Sequence, residues 1–448
     1  MTGVPNSAVT YRDLPVAVSI NGKRCAWAPL RMEWSFLPAV EIEEATVTLD
    51  LQPQAPSVLQ IQVTPRCTLR CCYCTHFFNP GQATHEISNE EIEVLRGEIA
   101  RLPSHGIVIL SGGEPFMRPD AVFRLAEDSP VPVAVYTNGT LLTPALVARV
   151  RETRIVPVVS LDGPPEVTAL RRSNPESPRA TAAIFRGLSL LADARVPYAI
   201  AMVLGRHNIE RIEEHVDHLH REYGPTTIGV SIPHFVATGV RETLTPEHVA
   251  QAFLRLFNLA LRKGIYIDQI ARRVTPFVEG RPRLRDCSAC GEKKVYLPGG
   301  TWKNCTNNPG PDFGRDAWAT YLPVLTPSCQ GCIGIGMCGG GCVFDGISLH
   351  GHGQFDVRFC ATVRALAAAI LETCAARDDL QTTNRQALRE LFEPLVFRPT
   401  ERRLSIGHVL HDPDVERSRN GGNIAPSGVR MAPTRARVGA RARRRGDA

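Results

Sequence analysis

The chain has 448 residues, 43% of them hydrophobic and 21% charged, with 36 Gly and 35 Pro. This globular composition excludes a collagen, a coiled coil or a wholly disordered protein, and the length suggests two or three domains. The net charge of +6 comes from the end of the chain: residues 417–448 hold nine Arg and one acid, the remainder is slightly acidic, and no nucleic-acid surface is expected. No apolar run approaches the ~20 residues of a membrane helix. Residues 1–15 lack the basic start and apolar core of a secretory signal. A cytoplasmic protein without membrane contact is expected.

In chain order, residues 1–55 read as short extended pieces, 17–20 and 45–51, with an Asn21-Gly22 turn between them. A strand over 58–64 ends at a cysteine cluster. Ser88 with Glu91 forms a capping box that opens a helix to about 101. Strand 107–110 runs into Ser111-Gly112-Gly113-Glu114-Pro115. Helix 120–127, strand 133–136, helix 144–152, strand 156–161, helix 180–194, strand 198–204, helix 209–223, strand 227–232 and helix 246–263 follow. Six strand–helix units predict a parallel sheet with right-handed crossovers, curled into a partial barrel. The polar and glycine-rich segments follow strand C-termini, the rim on which α/β barrels assemble ligands. Residues 284–365 are rich in Cys and Gly and poor in apolar runs, so metal must replace a core there. Helices at 361–376 and 383–393 follow, and the Gly, Pro and Arg tail from 412 lacks the apolar content to fold.

Fourteen cysteines punctuate the chain, twelve of them within 67–74 and 287–360. In a reducing cytoplasm such clusters point to metal or catalysis and not to disulfides. Cys67, Cys71 and Cys74 form Cys-x3-Cys-x2-Cys on one loop. Zinc or buried thiols would also suit three clustered cysteines. A [4Fe–4S] cube normally takes four thiolates, so three leave one iron open to a chelating ligand such as S-adenosylmethionine. Cys72 reads as a packed thiol, as do Cys25 and Cys374.

This spacing, with the aromatic Tyr73 before the last cysteine, resembles the radical S-adenosylmethionine enzymes. The resemblance implies a partial (β/α)6 TIM-like barrel over 56–270. It also implies reductive cleavage of S-adenosylmethionine to a 5′-deoxyadenosyl radical that abstracts a substrate hydrogen. Catalysis then falls to the cluster on Cys67, Cys71 and Cys74. The cofactor contacts fall to Tyr73 over the adenine, Gly112 and Gly113 at the ammonium, and Glu114 at the amine or the loop. They extend to Asn138, Ser160 and Asp162 as polar contacts, and to Arg172, or its neighbour Arg171, at the carboxylate. His215, His218 and His220 on one helix read as a solvated face, and His350 and His352 as exposed turn residues.

Cys290-x9-Gly300-x4-Cys305, then Cys329-x2-Cys332-x5-Cys338-x3-Cys342 and Cys360, is similar to the SPASM domain, here over 284–365. Cys287 supplies an eighth thiolate. The resemblance implies two auxiliary [4Fe–4S] clusters: one on Cys287, Cys290, Cys305 and Cys342, the other on Cys329, Cys332, Cys338 and Cys360. Two zinc ions are the alternative. SPASM members mostly modify peptides or proteins, so the resemblance implies a maturase of a ribosomally made precursor peptide or protein. Sulfatase maturases typically carry an Asp after the third auxiliary cysteine, whereas Thr306, Asn307 and Asn308 follow Cys305 here. Residues 1–55 do not read as a peptide-binding winged helix, so a separate recognition protein is expected, as is a flavodoxin- or ferredoxin-type electron donor. Alternatives are a radical dehydrogenase of a small molecule and an iron–sulfur electron-transfer protein. The remaining divisions are C-terminal helices over 366–411 and a disordered Arg-rich tail over 412–448.

Overall fold

A computed structural model describes residues 9–13, 15–36, 42–49, 56–78, 83–153, 155–172, 179–234, 244–307, 321–351, 353–396 and 429–431. The expected tail, apart from 429–431, and His352 lie outside the described residues. The N-terminal part holds five short strands: β1 (Val9–Asp13), β2 (Val16–Ile20), β3 (Lys23–Ala28), β4 (Glu33–Phe36) and β5 (Ala45–Leu49). Asn21 and Gly22 both take positive φ, 49° and 79°, the two-residue turn that suits a right-twisted hairpin. β2, β3 and β4 form one antiparallel sheet and β1 pairs with β5.

The main sheet begins at β6 (Val58–Thr64) and continues through β7 (Ile107–Gly112), β8 (Val133–Thr137), β9 (Ile155–Ser160), β10 (Ala199–Val203) and β11 (Thr227–Ser231). Between them run α1 (Asn89–Ala100), α2 (Pro119–Ala126), α3 (Pro144–Arg151), α4 (Ala180–Asp193) and α5 (Ile212–Tyr223). α6 (Pro246–Lys263) and α7 (Asp268–Glu279) follow. The capping box at Ser88 and Glu91 is present, with both reciprocal bonds made. All neighbouring pairs from β6 to β11 are parallel. Their sequences are short continuous apolar runs because helices cover one face and a barrel interior the other.

The Cys-rich region adds a hairpin that the sequence reading missed: β12 (Lys293–Leu297) and β13 (Thr301–Lys303). β12 pairs in parallel with β6, from Lys293 opposite Val58 to Tyr296 opposite Ile61. The full order is β11-β10-β9-β8-β7-β6-β12-β13, an open sheet of eight strands. α8 (Val357–Ala375) packs along α6, and α9 (Arg385–Phe392) against α7. Within the segment read as a disordered tail, β14 (Val429–Met431) pairs antiparallel with β5. No described helix is long and apolar enough to cross a membrane.

Candidate functional site

The inner face of the sheet changes chemistry along each strand. Successive side chains alternate faces, so every second residue looks inward. Val58, Ile107, Ile109, Ala134, Val156, Val158 and Ala199 form a small buried apolar cluster at the N-terminal ends. Two or four residues further on, the same faces carry Gln60 and Gln62, Ser111, Tyr136 and Ser160; with Ser231 at the end of β11, all six line a cavity of about 330 Å³. The apolar plug closes one end of the barrel; the polar residues form the floor of a site at the other.

The first cysteine loop roofs this cavity. Cys67, Cys71, Tyr73 and Cys74 line it, whereas Cys72 does not. The three lining thiols interact electrostatically with one another. Burial pushes Cys67 up to about 11 and Cys71 up to about 12; Arg172 opposes the rise at Cys71. The Leu69 N–H and Asn138 Nδ2 both donate to Cys67 Sγ, at 3.4 and 3.5 Å. Donors of this kind favour an anionic sulfur.

Gly113 serves the loop first. A Cβ there would lie 2.1 Å from the Arg66 carbonyl oxygen. The Gly113 and Glu114 N–H groups donate to the carbonyls of Thr64 and Arg66, each at 2.7 Å, clamping the start of the cysteine loop onto the end of β7. Both Gly112 and Gly113 also line the cavity. Glu114 is fully buried behind it and accepts from Phe116 N–H, Thr137 Oγ1 and Asn138 N–H at 3.1, 2.8 and 2.7 Å. It therefore orients the loop. Burial pushes its carboxyl up to about 7, against these three donors.

Asn138 and Arg172 reach the cavity, as does Ser160. Asp162 is absent from the lining. It is completely buried, accepts from the Val203 N–H at 3.0 Å and from the Tyr73 hydroxyl, and pairs with Arg172 Nε at 3.1 Å. Burial would raise its pKa, but Arg172, His207 and Tyr73 together hold it below the usual carboxylate range. Asp162 thus fixes the ring of Tyr73 and the guanidinium of Arg172, which lies 5.0 Å from that ring. Asn208 Nδ2 completes the brace on the Asp162 carbonyl at 3.0 Å. Nothing in the spacing of His207 and Asn208 marks this role; it depends on two loops meeting.

The later cysteines fall into two sets. Cys342 interacts electrostatically with Cys287 and Cys305, and all three act on the buried Lys293, whose pKa burial lowers. Cys360 interacts with Cys329 and Cys332, and Cys338 with Cys360. The side chain of Cys290 lies outside the described ones. Cys25 and Cys374 are buried at 1% and 0% exposure. Of the helical histidines, His215 is buried, contrary to a solvated face, and burial lowers its pKa; His350 is exposed.

The cavity also receives Thr306 and Asn307, next to Cys305, and His234, just after β11. His234 Nδ1 lies 2.7 Å from Asp345 Oδ2 and 3.8 Å from Cys342 Sγ. These three are the only His, Cys, Asp or Glu trio among the described residues whose ligand atoms all lie within 4.8 Å of one another. The sequence reading missed His234 and Asp345, which lie 111 residues apart. Cys67, Cys71 and Cys74 do not form such a trio, which bears on the metal they fit. A single zinc crowds its ligands around one centre, whereas a four-iron cube spreads them over separate irons. With N–H donors on Cys67 and an adjoining polar cavity, the first loop fits a cluster that keeps a ligand-binding iron.

Residues 61–219 match the Radical SAM superfamily profile. An AdoMet-dependent heme synthase of Methanosarcina barkeri is 32% identical over 162 residues, 35% of this chain and 45% of that enzyme. An Fe-coproporphyrin III synthase of the same organism is 28% identical over 198 residues, 42% of this chain and 48% of that enzyme. The chain thus spans about half the length of these relatives. Among solved structures, anSMEcpe with bound AdoMet aligns with a TM-score of 0.60 at 15% identity, over 75% of this chain and 99% of that one. SuiB of Streptococcus suis bound to the precursor peptide SuiA aligns with a TM-score of 0.50 at 14% identity, over 68% and 76%.

Proposed function

Because residues 61–219 are a Radical SAM superfamily domain, which implies a [4Fe–4S] cluster and S-adenosylmethionine, we propose that this chain is a maturase acting on a peptide or protein substrate, with Cys67, Cys71 and Cys74 holding that cluster. When bound, the cluster and cofactor would supply one-electron reductive cleavage of the sulfonium and, through it, abstraction of a hydrogen atom from the substrate. Tyr73 and Arg172, braced by Asp162, orient the cofactor's ring and carboxylate. Asn138 holds the Cys67 sulfur, and Glu114 holds Asn138. The apolar plug below the floor keeps bulk water out of the barrel from beneath. Residues 284–365 form a SPASM-type domain with two auxiliary clusters on the sets named above, working in a reducing cytoplasm.

The observation that carries this reading is the convergence of both cysteine regions on one cavity: the first loop roofs it, and Thr306 and Asn307 enter from the second. Three cysteines, and no fourth among the described lining residues, favour a cofactor-binding cluster over a simple electron carrier. The likeness to anSMEcpe, solved also with a Cp18Cys peptide, and to SuiB with SuiA supports a peptide substrate.

A tetrapyrrole is the second reading, because the sequence relatives are named as heme and Fe-coproporphyrin III synthases. Such substrates present several carboxylates. Arg172 is the one Lys or Arg among the described lining residues, and it is paired with Asp162. The floor of Gln, Ser and Tyr suits peptide amides better. Anaerobically reconstituted enzyme, incubated with S-adenosylmethionine and either a peptide encoded beside its gene or Fe-coproporphyrin, separates the readings. A mass change in the peptide, coupled to 5′-deoxyadenosine, is expected; decarboxylation of the porphyrin would replace this proposal.

A further inference from the structure

β12 opens with two lysines, Lys293 and Lys294, and strand alternation sends them to opposite faces. Lys294 is exposed, whereas Lys293 shares its face with Val295 and Leu297 and is 4% exposed, the one buried lysine among the described residues. An apolar face holds a cation at high cost unless opposite charge meets it there. The sulfurs of Cys305, Cys287 and Cys342 all act on the Lys293 ammonium and supply that charge once they are thiolates. Asp345 and Arg358 also act on Cys342, but each already has an opposite partner, His234 and Asp356, both at 2.7 Å. Lys303, opposite Val295 on β13, acts on Cys305 from a partly exposed position, where solvent screens it. Beside Cys287, the Ser288 hydroxyl is fully buried and has no hydrogen-bond partner among the described residues. A buried cation and a buried orphan donor among three sulfurs fit an anionic cluster there. The set on Cys329, Cys332, Cys338 and Cys360 is served differently. The cations acting on it are Arg364, which is exposed, and Arg273, which is paired with Asp286 at 2.7 Å.

We infer that the buried ammonium of Lys293 raises the reduction potential of the cluster on Cys287, Cys290, Cys305 and Cys342 above that of the cluster on Cys329, Cys332, Cys338 and Cys360. The inference rests on the SPASM-type reading of residues 284–365. A cluster on four thiolates gains one more negative charge when it is reduced, and net charge and hydrogen bonds to sulfur help set its potential. A fixed neighbouring cation therefore favours the reduced form, and burial leaves that attraction little screened by salt. The favoured cluster is the one beside the cavity, which Thr306 and Asn307 enter directly after Cys305. An electron shared by the two auxiliary clusters then rests next to the substrate site and not on the other set. Lys293 acts through the cluster and is a positioning residue in this sense.

The test is a redox titration of the reconstituted full-length protein, followed by electron paramagnetic resonance. Cys67→Ala, Cys71→Ala and Cys74→Ala are combined so that only the auxiliary signals remain. In this background Lys293→Met should lower the equilibrium constant for reducing the higher-potential cluster by about tenfold or more, which is about 59 mV for one electron. The other cluster should stay in place. Lys293→Arg keeps the charge and should restore most of the difference. Unchanged potentials in Lys293→Met, equal shifts in both clusters, or a shift confined to the lower-potential cluster would overturn the inference. If Lys293→Met does not retain its iron, Lys293→Arg decides. Iron and a potential near that of the background protein would support the charge. Loss of iron there too, or a lowered potential, would make Lys293 a packing residue and overturn the inference. Fewer than about eight iron atoms per chain in the background protein itself would instead overturn the SPASM-type reading on which it rests.

Discussion

The two cysteine regions of this molecule are held in place by different physics. The first loop hangs from the ends of parallel strands whose outer faces belong to the large apolar core, so its scaffold exists without metal. The second region gives that core few side chains, Tyr296 and Met337 among them, and is otherwise held by small apolar clusters such as Ala289, Cys305, Val343 and Phe344. Buried charge does that work instead. Arg273, on α7, donates to the carbonyls of Met337 and Cys338 at 2.6 and 2.9 Å and to Asp286 Oδ1 at 2.7 Å. Arg283 reaches the same carboxylate oxygen at 3.0 Å, and Arg272 pairs with Asp268 at 2.9 Å. Asp286 directly precedes Cys287, so one charge cluster ties both later cysteine sets to the barrel. Burial would raise the Asp286 pKa, yet the three arginines hold it far below the carboxylate range. From the N-terminal side, Trp27 stacks on Phe277 of α7 at 4.9 Å and its Nε1 donates to the Ile333 carbonyl at 2.8 Å. A cofactor site can thus sit on a preformed frame, while the region beside it depends on charge pairing and, in this account, on bound iron.

Substitutions can break this contrast. Cys71→Ala should abolish 5′-deoxyadenosine formation while leaving the thermal midpoint of the cofactor-free protein near wild type. Retained cleavage would refute the cluster assignment, and a large loss of stability would refute the preformed frame. Arg273→Met should destabilise by about 3–5 kcal/mol, because it strips a buried carboxylate of a paired cation. Denaturant unfolding measures the loss, and iron analysis should find the auxiliary sites depleted before the first loop. Equal depletion of all sites would erase the distinction.

Glu114 sharpens the contrast through pH. Its folded-state value of about 7 lies above the ordinary 4.5. Its contribution to stability is therefore fully present below the unfolded value and is lost as pH rises through the folded one, about 3 kcal/mol for a shift of this size. The cofactor-free protein should lose more stability than Glu114→Gln between about pH 5 and about pH 8. Parallel stability curves would exclude Glu114 as the source. The smallest effect belongs to Asn138→Ala, which removes one donor from Cys67 Sγ. About 1 kcal/mol of stability and a lower reduction potential of the first cluster are expected, since hydrogen bonds to sulfur help set that potential. An unchanged potential would leave Asn138 a purely structural residue.

Much of this arrangement was legible in the sequence where local rules govern. The capping box at Ser88, the alternation of six apolar runs with helices, and the polar segments after each strand all follow from periodicity and turn chemistry, and the open parallel sheet agrees with them. Gly112, Gly113, Asn138, Ser160 and Arg172, expected as cofactor contacts, all line the cavity; the first four end a strand or lie just beyond one, and Arg172 follows twelve residues after β9. What escaped depends on distant segments meeting. The β12–β13 hairpin was hidden inside a cysteine-rich stretch, although Val295 to Leu297 followed by Gly299 and Gly300 is a strand and turn signal. The sequence offers Asp162 as a cofactor contact, whereas in the fold Tyr73, Arg172 and the Val203 N–H enclose it. His234 and Asp345, in separate regions, carry no local mark at all.

The central claim is that the cluster on Cys67, Cys71 and Cys74 keeps one iron for S-adenosylmethionine. Electron–nuclear double resonance on the reduced enzyme, with the cofactor labelled in turn at its amino nitrogen and carboxylate oxygen, tests it directly. Hyperfine coupling from both labels to the cluster, lost in Cys71→Ala, is the predicted result. A reduced cluster at that loop that shows no coupling to either label would contradict the account.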